Sequence, residues 1–399
     1  MNSDREFAVI VESWFDGERR HHKQGPSTFM VRDGRVAEIV AGDLGPALAQ
    51  RGITLERGAF LMPGLVDAHV HLFLDGAETD QKARSQHLKQ SPAQLLQAAR
   101  ASARQSLECG VTLVRDAGDR HGINHRIRDE AAVPGSGLSR VRSGGMGFKR
   151  PSRYGAFMAA DLADDADLAD AVRVQAASSD EIKLILTGII DFDAGAVLDE
   201  PQFNLEQTRR LVACARAGGR QVFAHCSGAK GLTIAATAGV GSIEHGFFMS
   251  RQHLALMLQN GVAWTPTFSP VHFQWAHPEI AGWSVPTVAH LRRLLDLHAR
   301  HLTMAAELGV SLLLGTDAGS MGVPHGRAVL GEIARYLEAG LSLAQTLAAA
   351  TSNARRHFGC EYPTLAAGAP FDALLLAQDP FDQLEALGKP LKVWPAGSA

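Results

Sequence analysis

The stretch SRQHLALMLQNGVAWTPTF (Ser250–Phe268) contains the pattern that decides the fold. A serine suited to a helix N-cap precedes an amphipathic segment, a glycine ends that segment, and a short strand of β-branched and aromatic residues follows. The same order recurs in NLEQTRRLVACARAGGRQVFAHC (Asn204–Cys226) and between Val285 and Gly319. Such alternation of helices and strands predicts parallel strands joined by helical crossovers.

Eight segments of the chain are candidate strands of this kind. They are Leu61–His71, Thr112–Asp116, Leu138–Ser143, Ile182–Thr187, Gln221–Cys226, Gly241–His245, Val262–Phe268 and Ser311–Asp317. Eight such units predict an α/β fold of the (β/α)8 TIM barrel type. A doubly wound open sheet is the structural alternative, but GSGLSRV and GGMGF do not match its glycine-rich fingerprint.

The two ends of the chain have a different pattern. FMVRDGRVAEIV has two apolar runs around Asp33-Gly34, which predicts a β-hairpin, and FDALLLA (Phe371–Ala377) predicts a strand near the other end. We therefore expect residues 1–61 and 366–399 to form a small split β-sandwich domain, and residues 62–365 to form the barrel.

The composition excludes several classes of function. The chain has 399 residues, 46% of them hydrophobic and 20% charged, with a net charge of −3 and no long basic block, so we expect no nucleic acid or membrane as a partner. No window approaches the roughly 18 apolar residues of a membrane span, and the charged first thirty residues do not resemble a signal peptide. The four cysteines form no C-x-x-C pair, which fits a cytoplasmic protein.

Histidines and an aspartate stand where candidate strands end. In PGLVDAHVHL, His69 and His71 are two residues apart on a strand, so both imidazoles face the same side. QVFAHC ends on His225, GSIEHG on His245 and LLLGTDAG on Asp317. In a barrel the carboxyl ends of the strands form the active-site face, so the barrel prediction brings these side chains together as candidate metal ligands.

Lys183 lies inside the apolar strand of EIKLILTG. A buried ammonium group has a large desolvation penalty unless it is paired or chemically changed. One explanation is a salt bridge in the core with Glu181 or Asp116. The other is reaction with carbon dioxide to give a carbamate, whose two oxygens can bridge two cations, whereas an ammonium has no lone pair for a metal.

Read in order, the five motifs PGLVDAHVH, EIKLILTG, FAHCSG, SIEHG and LGTDAG resemble the metal-ligand motifs of the amidohydrolase superfamily. The resemblance extends to the terminal GAPFDALLLAQDP and so covers almost the whole chain. It is strongest for the imidazolonepropionase-like and zinc dipeptidase (prolidase-like) branch, which has a carboxylated lysine.

That resemblance implies a binuclear centre and a reaction. His69, His71 and Asp317 would bind a first, more buried metal, His225 and His245 a second, and the carbamate of Lys183 would bridge both. Zinc suits these nitrogen and oxygen ligands. The implied activity is hydrolysis of an amide C–N bond of a small N-acyl amino acid, dipeptide-like or related substrate, by a metal-bridging hydroxide with Asp317 as the catalytic proton carrier.

Two alternatives to this activity remain open. A mononuclear deaminase or cyclic-amide hydrolase would act on a heterocycle, but such deaminases usually have a glutamate where this chain has Gly228. A non-catalytic scaffold is the other, although all six ligand types are present.

Substrate contacts are predicted from two loops. Tyr154 and Arg153 follow the third strand, and His325 follows Asp317. Lys149 and Arg150 lie in the same basic loop, which would otherwise be an ordinary solvated segment. Relatives commonly have GGHG where this chain has Met146, which argues against copying a dipeptidase specificity. We expect a small molecule as the partner and leave a homo-oligomer open.

Overall fold

The computed structural model describes residues 6–22 and 25–396. Its strands are β1 (Phe7–Phe15), β2 (Arg20–His21), β3 (Ser27–Arg32), β4 (Arg35–Ala41), β5 (Thr54–Pro63), β6 (Leu65–Val70), β7 (Val111–Asp116), β8 (Arg140–Ser143), β9 (Gly147–Lys149), β10 (Ala159–Asp161), β11 (Ile182–Ile185), β12 (Val222–Cys226), β13 (Ser242–His245), β14 (Ala263–Thr265), β15 (Ala373–Leu376) and β16 (Lys392–Trp394). Its helices are α1 (Gly45–Gln50), α2 (Gln81–His87), α3 (Pro92–Glu108), α4 (Ile123–Ala131), α5 (Leu168–Ser178), α6 (Leu205–Ala217), α7 (Ala229–Ala238), α8 (Arg251–Asn260), α9 (Phe268–Ala276), α10 (Pro278–Ala281), α11 (Val285–Leu308), α12 (Ala328–Glu338), α13 (Leu343–Ala349) and α14 (Ser352–His357), and a 3₁₀ helix spans Leu384–Gly388.

One sheet combines strands from both ends of the chain. β1 lies parallel to β5 and antiparallel to β3, and β15 pairs antiparallel with β5. The β3–β4 hairpin turns at Asp33 and Gly34, which both have positive φ, as a tight two-residue hairpin turn requires. The predicted hairpin is therefore confirmed, and so is the strand predicted at 371–377, which contains β15. A second layer that would make this sheet a sandwich stays a prediction.

Parallel strands form two further sheets. One has the order β6-β7-β8, and the other has the order β10-β9-β11-β12-β13-β14. Neighbouring strands in both sheets pair in parallel. Seven of the eight strand segments predicted for the barrel overlap an observed strand. The chain thus has the mixed α/β organisation with parallel strands that its alternating pattern predicts.

The eighth predicted segment, 311–317, forms only isolated bridges, although it lies between the two parallel sheets. Leu312 bridges to Trp264 of β14, and Ala318 bridges to Val70 of β6. The backbone N–H of Asp317 also donates to the carbonyl oxygen of His69 at 2.8 Å. The segment departs from regular strand geometry where Asp317 takes a positive φ of 57°.

The third predicted strand continues further than the sequence indicates. It contains β8, breaks at Gly144–Met146 and resumes as β9, in a segment predicted to be a loop. β8 pairs with β7, whereas β9 pairs with β11, so the break falls where one parallel sheet gives way to the other. Gly145 has a φ of 65° at this break, a conformation that glycine adopts without strain.

Helices begin and end at the residues that the sequence indicates. The Ser250 side chain accepts a hydrogen bond from the His253 N–H at the start of α8, and Gly261 ends that helix with a φ of 66°. Buried leucines of the helices, such as Leu95 and Leu254, join the largest core cluster with the side chains of the parallel strands. None of the described helices combines the length and apolar content that crossing a membrane requires.

Candidate metal centre

The first strand places two imidazoles beside an aspartate. His69 lies on β6 and His71 directly follows it, and both are buried. The Oδ1 atom of Asp317 lies 3.7 Å from Nε2 of His69 and 3.5 Å from Nε2 of His71. One ligand atom from each of these three residues falls within 4.8 Å of the others, a spacing that a single cation could occupy.

Two further imidazoles stand at the ends of neighbouring strands. His225 is near the end of β12 and His245 ends β13, which pairs with β12 in parallel register. The ring centroids of His225 and His245 are 4.6 Å apart, and those of His69 and His245 are 5.1 Å apart. The four predicted histidines therefore form one continuous cluster at the carboxyl ends of the parallel strands.

Lys183 lies on β11 beside this cluster. Its side chain is fully buried, and its Nζ atom lies 4.8 Å from the centroid of the Phe223 ring. Within residues 6–22 and 25–396, Nζ has no hydrogen-bond partner. Glu181 instead lies near Arg115, at 3.4 Å, and Asp116 accepts hydrogen bonds from backbone N–H groups. The structure thus does not place Lys183 in the core salt bridge that was the alternative to a carbamate.

Backbone strain is concentrated at the same strand ends. His245, Thr267 and Asp317 have φ values of 68°, 50° and 57°, a region that side chains other than glycine adopt at an energetic cost. The side chains of these residues are also hydrogen-bonded: Nδ1 of His245 lies 2.7 Å from Oγ1 of Thr267, and Ser320 donates to Oδ2 of Asp317 at 3.0 Å. Strain of this kind is typical of functional sites.

A buried polar network lies beneath His69. Nδ1 of His69 is 2.7 Å from Oε2 of Glu244, and Oε1 of Glu244 accepts hydrogen bonds from Ser242 and, at 2.8 Å, from Arg115. Arg115 also donates to the carbonyl oxygen of Ala68 at 2.7 Å. Because Glu244 holds Nδ1 of His69, Nε2 is left facing Asp317, and it has no hydrogen-bond partner in the described structure.

The electrostatics of the cluster favour uncharged imidazoles. Burial, and then the nearby positive charge of Lys183, lowers the pKa of His71 and that of His225 to about 3. Burial also lowers the pKa of the Lys183 ammonium and raises the pKa of the Asp317 carboxyl. Neutral imidazoles have free lone pairs, which is the protonation state that metal binding needs.

A cavity of about 290 Å³ opens on this cluster. Its polar wall consists of His71, Arg84, Tyr154, Lys183, His225, Ser227, His245, Thr267, Asp317 and Ser320. Its apolar wall consists of Leu74, Phe157, Met158, Ile189, Ile190, Phe192, Phe247, Pro270, Val271 and Met321. Pockets with a mainly apolar wall and a few convergent polar groups are typical small-molecule sites.

The three predicted substrate contacts lie at different distances from the cavity. Tyr154 lines the cavity, with its ring centroid 5.2 Å from that of His225. His325 is buried beside the cavity wall, where its Nε2 lies 3.0 Å from the carbonyl oxygen of Leu74. Arg153 is absent from the described cavity wall and donates to the carbonyl oxygen of Glu200. Substrate contact by His325 and Arg153 stays a prediction.

Two other basic residues of the loop after the third strand have acidic partners. Lys149 lies 2.5 Å from Asp161 of β10, and Arg150 pairs with Asp165. The arginine that does line the cavity, Arg84 of α2, was not among the predicted contacts. Arg115 was not predicted either, although a charged residue within the apolar strand VTLVRD is a signal for a buried functional group.

Comparison with known proteins places this geometry in a family context. Residues 60–398 match a model described as the amidohydrolase family. Uncharacterized proteins of Mycobacterium tuberculosis and Mycobacterium bovis are 32% identical to this chain over 357 residues, which is 88% of this chain and 85% of theirs. The ochratoxinase of Aspergillus niger is 26% identical over 376 residues, covering 84% of this chain and 75% of that protein.

Solved structures share the fold over nearly the full length. A Xaa-Pro dipeptidase with methionine bound in its active site superposes with a TM-score of 0.83 at 21% identity, covering 98% of each chain. The A. niger ochratoxinase structure gives a TM-score of 0.81 at 22% identity, covering 99% of this chain and 95% of that one.

Proposed function

The chain belongs to the amidohydrolase family, and we propose that it hydrolyses the amide C–N bond of a small N-acyl amino acid, dipeptide-like or related substrate at a two-metal site. The observation that carries this proposal is the environment of Lys183. A fully buried amine, for which the described residues offer no hydrogen-bond partner, lies beside a cluster of four histidines and one aspartate. A structural role as an ion-pair partner would leave no such unpaired group.

The donor set fits two divalent cations. His69, His71 and Asp317 would hold one, and His225 and His245 would hold the other. The unpaired Nε2 of His69, with Nδ1 held by Glu244, is the arrangement that a metal-binding imidazole needs. Nitrogen and carboxylate oxygen donors favour zinc, which we propose as the metal.

Carboxylation of Lys183 would complete the site. The neutral amine adds to carbon dioxide and loses one proton, which gives a carbamate with one negative charge. Burial favours the neutral amine, because it lowers the pKa of Lys183. The carbamate oxygens would supply the lone pairs that the ammonium group lacks, so that Lys183 could serve as a metal ligand.

The protein side chains would divide the remaining work. When bound, two divalent metals supply Lewis acidity and an acidified water. Asp317 would accept the proton of the attacking water and pass it to the leaving nitrogen, so that the products are a carboxylate and an amine. Ser320, which donates to Oδ2 of Asp317, would keep that carboxylate oriented during the transfer.

The architecture around the site follows from the same proposal. We propose that residues 62–365 close into a (β/α)8 barrel, and that the strands of both chain ends form a separate split domain. The bonding of segment 311–318 to β6 and to β14 supports closure on one side, and the continuation of β8 into β9 supports it on the other.

A substrate panel tests the proposed reaction. Zinc-loaded and chelator-treated protein would be assayed against N-acyl amino acids, dipeptides, lactams and aryl amides, with detection of the released amine. We expect metal-dependent release of an amine from at least one carboxylate-bearing amide. Inactivity on every amide, together with release of ammonia from a heterocyclic amine, would instead establish the deaminase alternative.

A further inference from the structure

We infer that Arg84 is the residue that binds the carboxylate of an N-acyl amino acid substrate, and that the apolar part of the cavity wall receives the side chain of that substrate. This inference rests on the proposed function and extends it to the part of the substrate that does not react. Arg84 lies on α2, outside the parallel strands, and its side chain reaches the cavity wall that Asp317 and His71 also line.

The guanidinium of Arg84 is held by neutral groups. Nη1 donates to the carbonyl oxygens of Asp75 and Glu78 at 2.6 and 3.1 Å, and Nη2 donates to that of Gly319 at 2.8 Å. The carboxylates of Asp75 and Glu78 accept backbone N–H groups of their own loop instead. In the described structure, the positive charge of Arg84 therefore has no hydrogen-bonded carboxylate as a partner.

The unused donors of Arg84 suit a carboxylate. A guanidinium has five N–H groups, and the described hydrogen bonds use three of them. Nε–H and one hydrogen of Nη2 remain, and the atoms Nε and Nη2 share one edge of the planar group. A carboxylate accepts two parallel hydrogen bonds from such an edge, which is the strong bidentate arrangement of arginine and carboxylate.

The position of Arg84 suits the reaction. Gly319, whose carbonyl oxygen accepts from Arg84, is two residues after Asp317, a backbone separation of at most roughly 7 Å. In an N-acyl amino acid only the α-carbon separates the carboxylate from the amide nitrogen. A carboxylate bound by Arg84 would thus bring the scissile bond toward Asp317.

Other cations are less well placed. Lys149 and Arg150 pair with Asp161 and Asp165, whereas Lys183 is the proposed metal bridge. Among the described residues, Arg84 and Lys183 are the cations of the cavity wall. The apolar wall next to them would receive the side chain of the substrate.

The test compares two substrates that differ in one group. N-acetylphenylalanine and N-acetyl-2-phenylethylamine have the same scissile amide, but the second lacks the carboxylate. For Arg84→Met we expect kcat/KM for the acid to fall about 10- to 150-fold more than kcat/KM for the neutral amide, the value of a hydrogen bond to a charged group. Arg84→Lys should recover part of the loss, because it restores the charge without the planar fork.

Lys82→Met is the matched control, since Lys82 is an exposed cation on the same helix. It should leave both substrates unaffected. An equal fall for both substrates in Arg84→Met would assign Arg84 to loop structure alone, and no change for the acid would exclude contact. Either result overturns the inference.

A binding measurement separates this inference from the proposed reaction. Calorimetry would compare L-phenylalanine with 2-phenylethylamine on zinc-loaded wild type and Arg84→Met. A preference for the amino acid that disappears in the variant supports the role of Arg84, even if no amide is hydrolysed. An equal preference in both proteins overturns it, whatever the substrate panel shows.

Discussion

Replacing Glu244 by glutamine should weaken metal binding at a residue that touches no metal. Glu244 is fully buried, and its two oxygens have different partners. Oε1 accepts from Arg115 and Ser242, whereas Oε2 faces Nδ1 of His69. Arginine can only donate, so the amide oxygen of the new side chain must stay with Arg115 and its NH2 group must face His69.

That orientation selects the wrong tautomer of His69. Nδ1 would have to accept a hydrogen bond from the amide, which moves the imidazole proton to Nε2. Nε2 is the atom beside Asp317, and a protonated nitrogen offers no lone pair to a metal. Loss of such an outer partner typically lowers metal affinity 10- to 100-fold, or about 1.4–2.7 kcal/mol.

The assay is zinc affinity by competition with a chromophoric chelator, beside the free energy of unfolding of the metal-free protein. We expect the unfolding free energy to fall by about 1–3 kcal/mol, because the hydrogen bond with His69 loses its charged acceptor. Glu200→Gln is the control: Glu200 pairs with Lys230, both side chains are exposed, and zinc affinity should not change. Wild-type zinc affinity in a folded Glu244→Gln protein would show that Glu244 does not set the tautomer of His69.

Three further perturbations have defined outcomes. His298 stacks on Phe247 with ring centroids 3.9 Å apart, and burial lowers its pKa to about 3. The neutral ring therefore stabilises the fold above pH 6.5, and this contribution is lost as the pH falls because the unfolded chain then binds a proton that the folded ring does not. Between pH 7.5 and 5.5 the free energy of unfolding of the wild type should fall by about 1.4 kcal/mol more than that of His298→Gln. Parallel losses in denaturant titrations would contradict this. Asp317→Asn should lower kcat by about 10²–10⁴-fold on whichever amide the panel identifies, and a folded variant of normal rate would exclude the proton carrier. Chelation of zinc should lower Tm in calorimetry, because free zinc at 100 times its Kd stabilises the fold by about 2.7 kcal/mol, and an unchanged Tm would show that no metal binds the folded state.

The candidate ligands could be predicted from the sequence because local rules fix their positions. Side chains two residues apart on a strand point to the same face, which is why His69 and His71 were predicted to lie together. The carboxyl ends of parallel strands lie at the same edge of a sheet, which is why His225, His245 and Asp317 were predicted to join them. Each of these inferences needs only the identity of one strand and its direction.

Residues that reach the site across the fold could not be found in this way. Arg115 meets Glu244 although 129 residues separate them along the chain, and the pairing depends on side-chain lengths inside the sheet. Arg84 depends on the path of the loop after β6, which no periodic pattern specifies. Substrate contact was predicted instead for the basic segment around Arg153, because its positive charges are adjacent in sequence. In the structure, Lys149 and Arg150 of that segment pair with acidic neighbours.

The backbone at the strand ends was also beyond sequence reasoning. Segment 311–317 was predicted as a full strand from its apolar run, but it forms only isolated bridges, and Asp317 at its end has a positive φ. A left-handed aspartate is a local conformation that the surrounding contacts impose, so composition alone does not reveal it.

The number of zinc ions bound per chain, measured by elemental mass spectrometry on wild type and on Lys183→Ala, tests whether Lys183 completes a two-metal site. We expect two zinc ions in the wild type with bicarbonate present. We expect at most one in Lys183→Ala, with the second restored in part by a short carboxylic acid such as propionate. Two zinc ions and full activity in Lys183→Ala without any added acid would exclude Lys183 as a metal ligand.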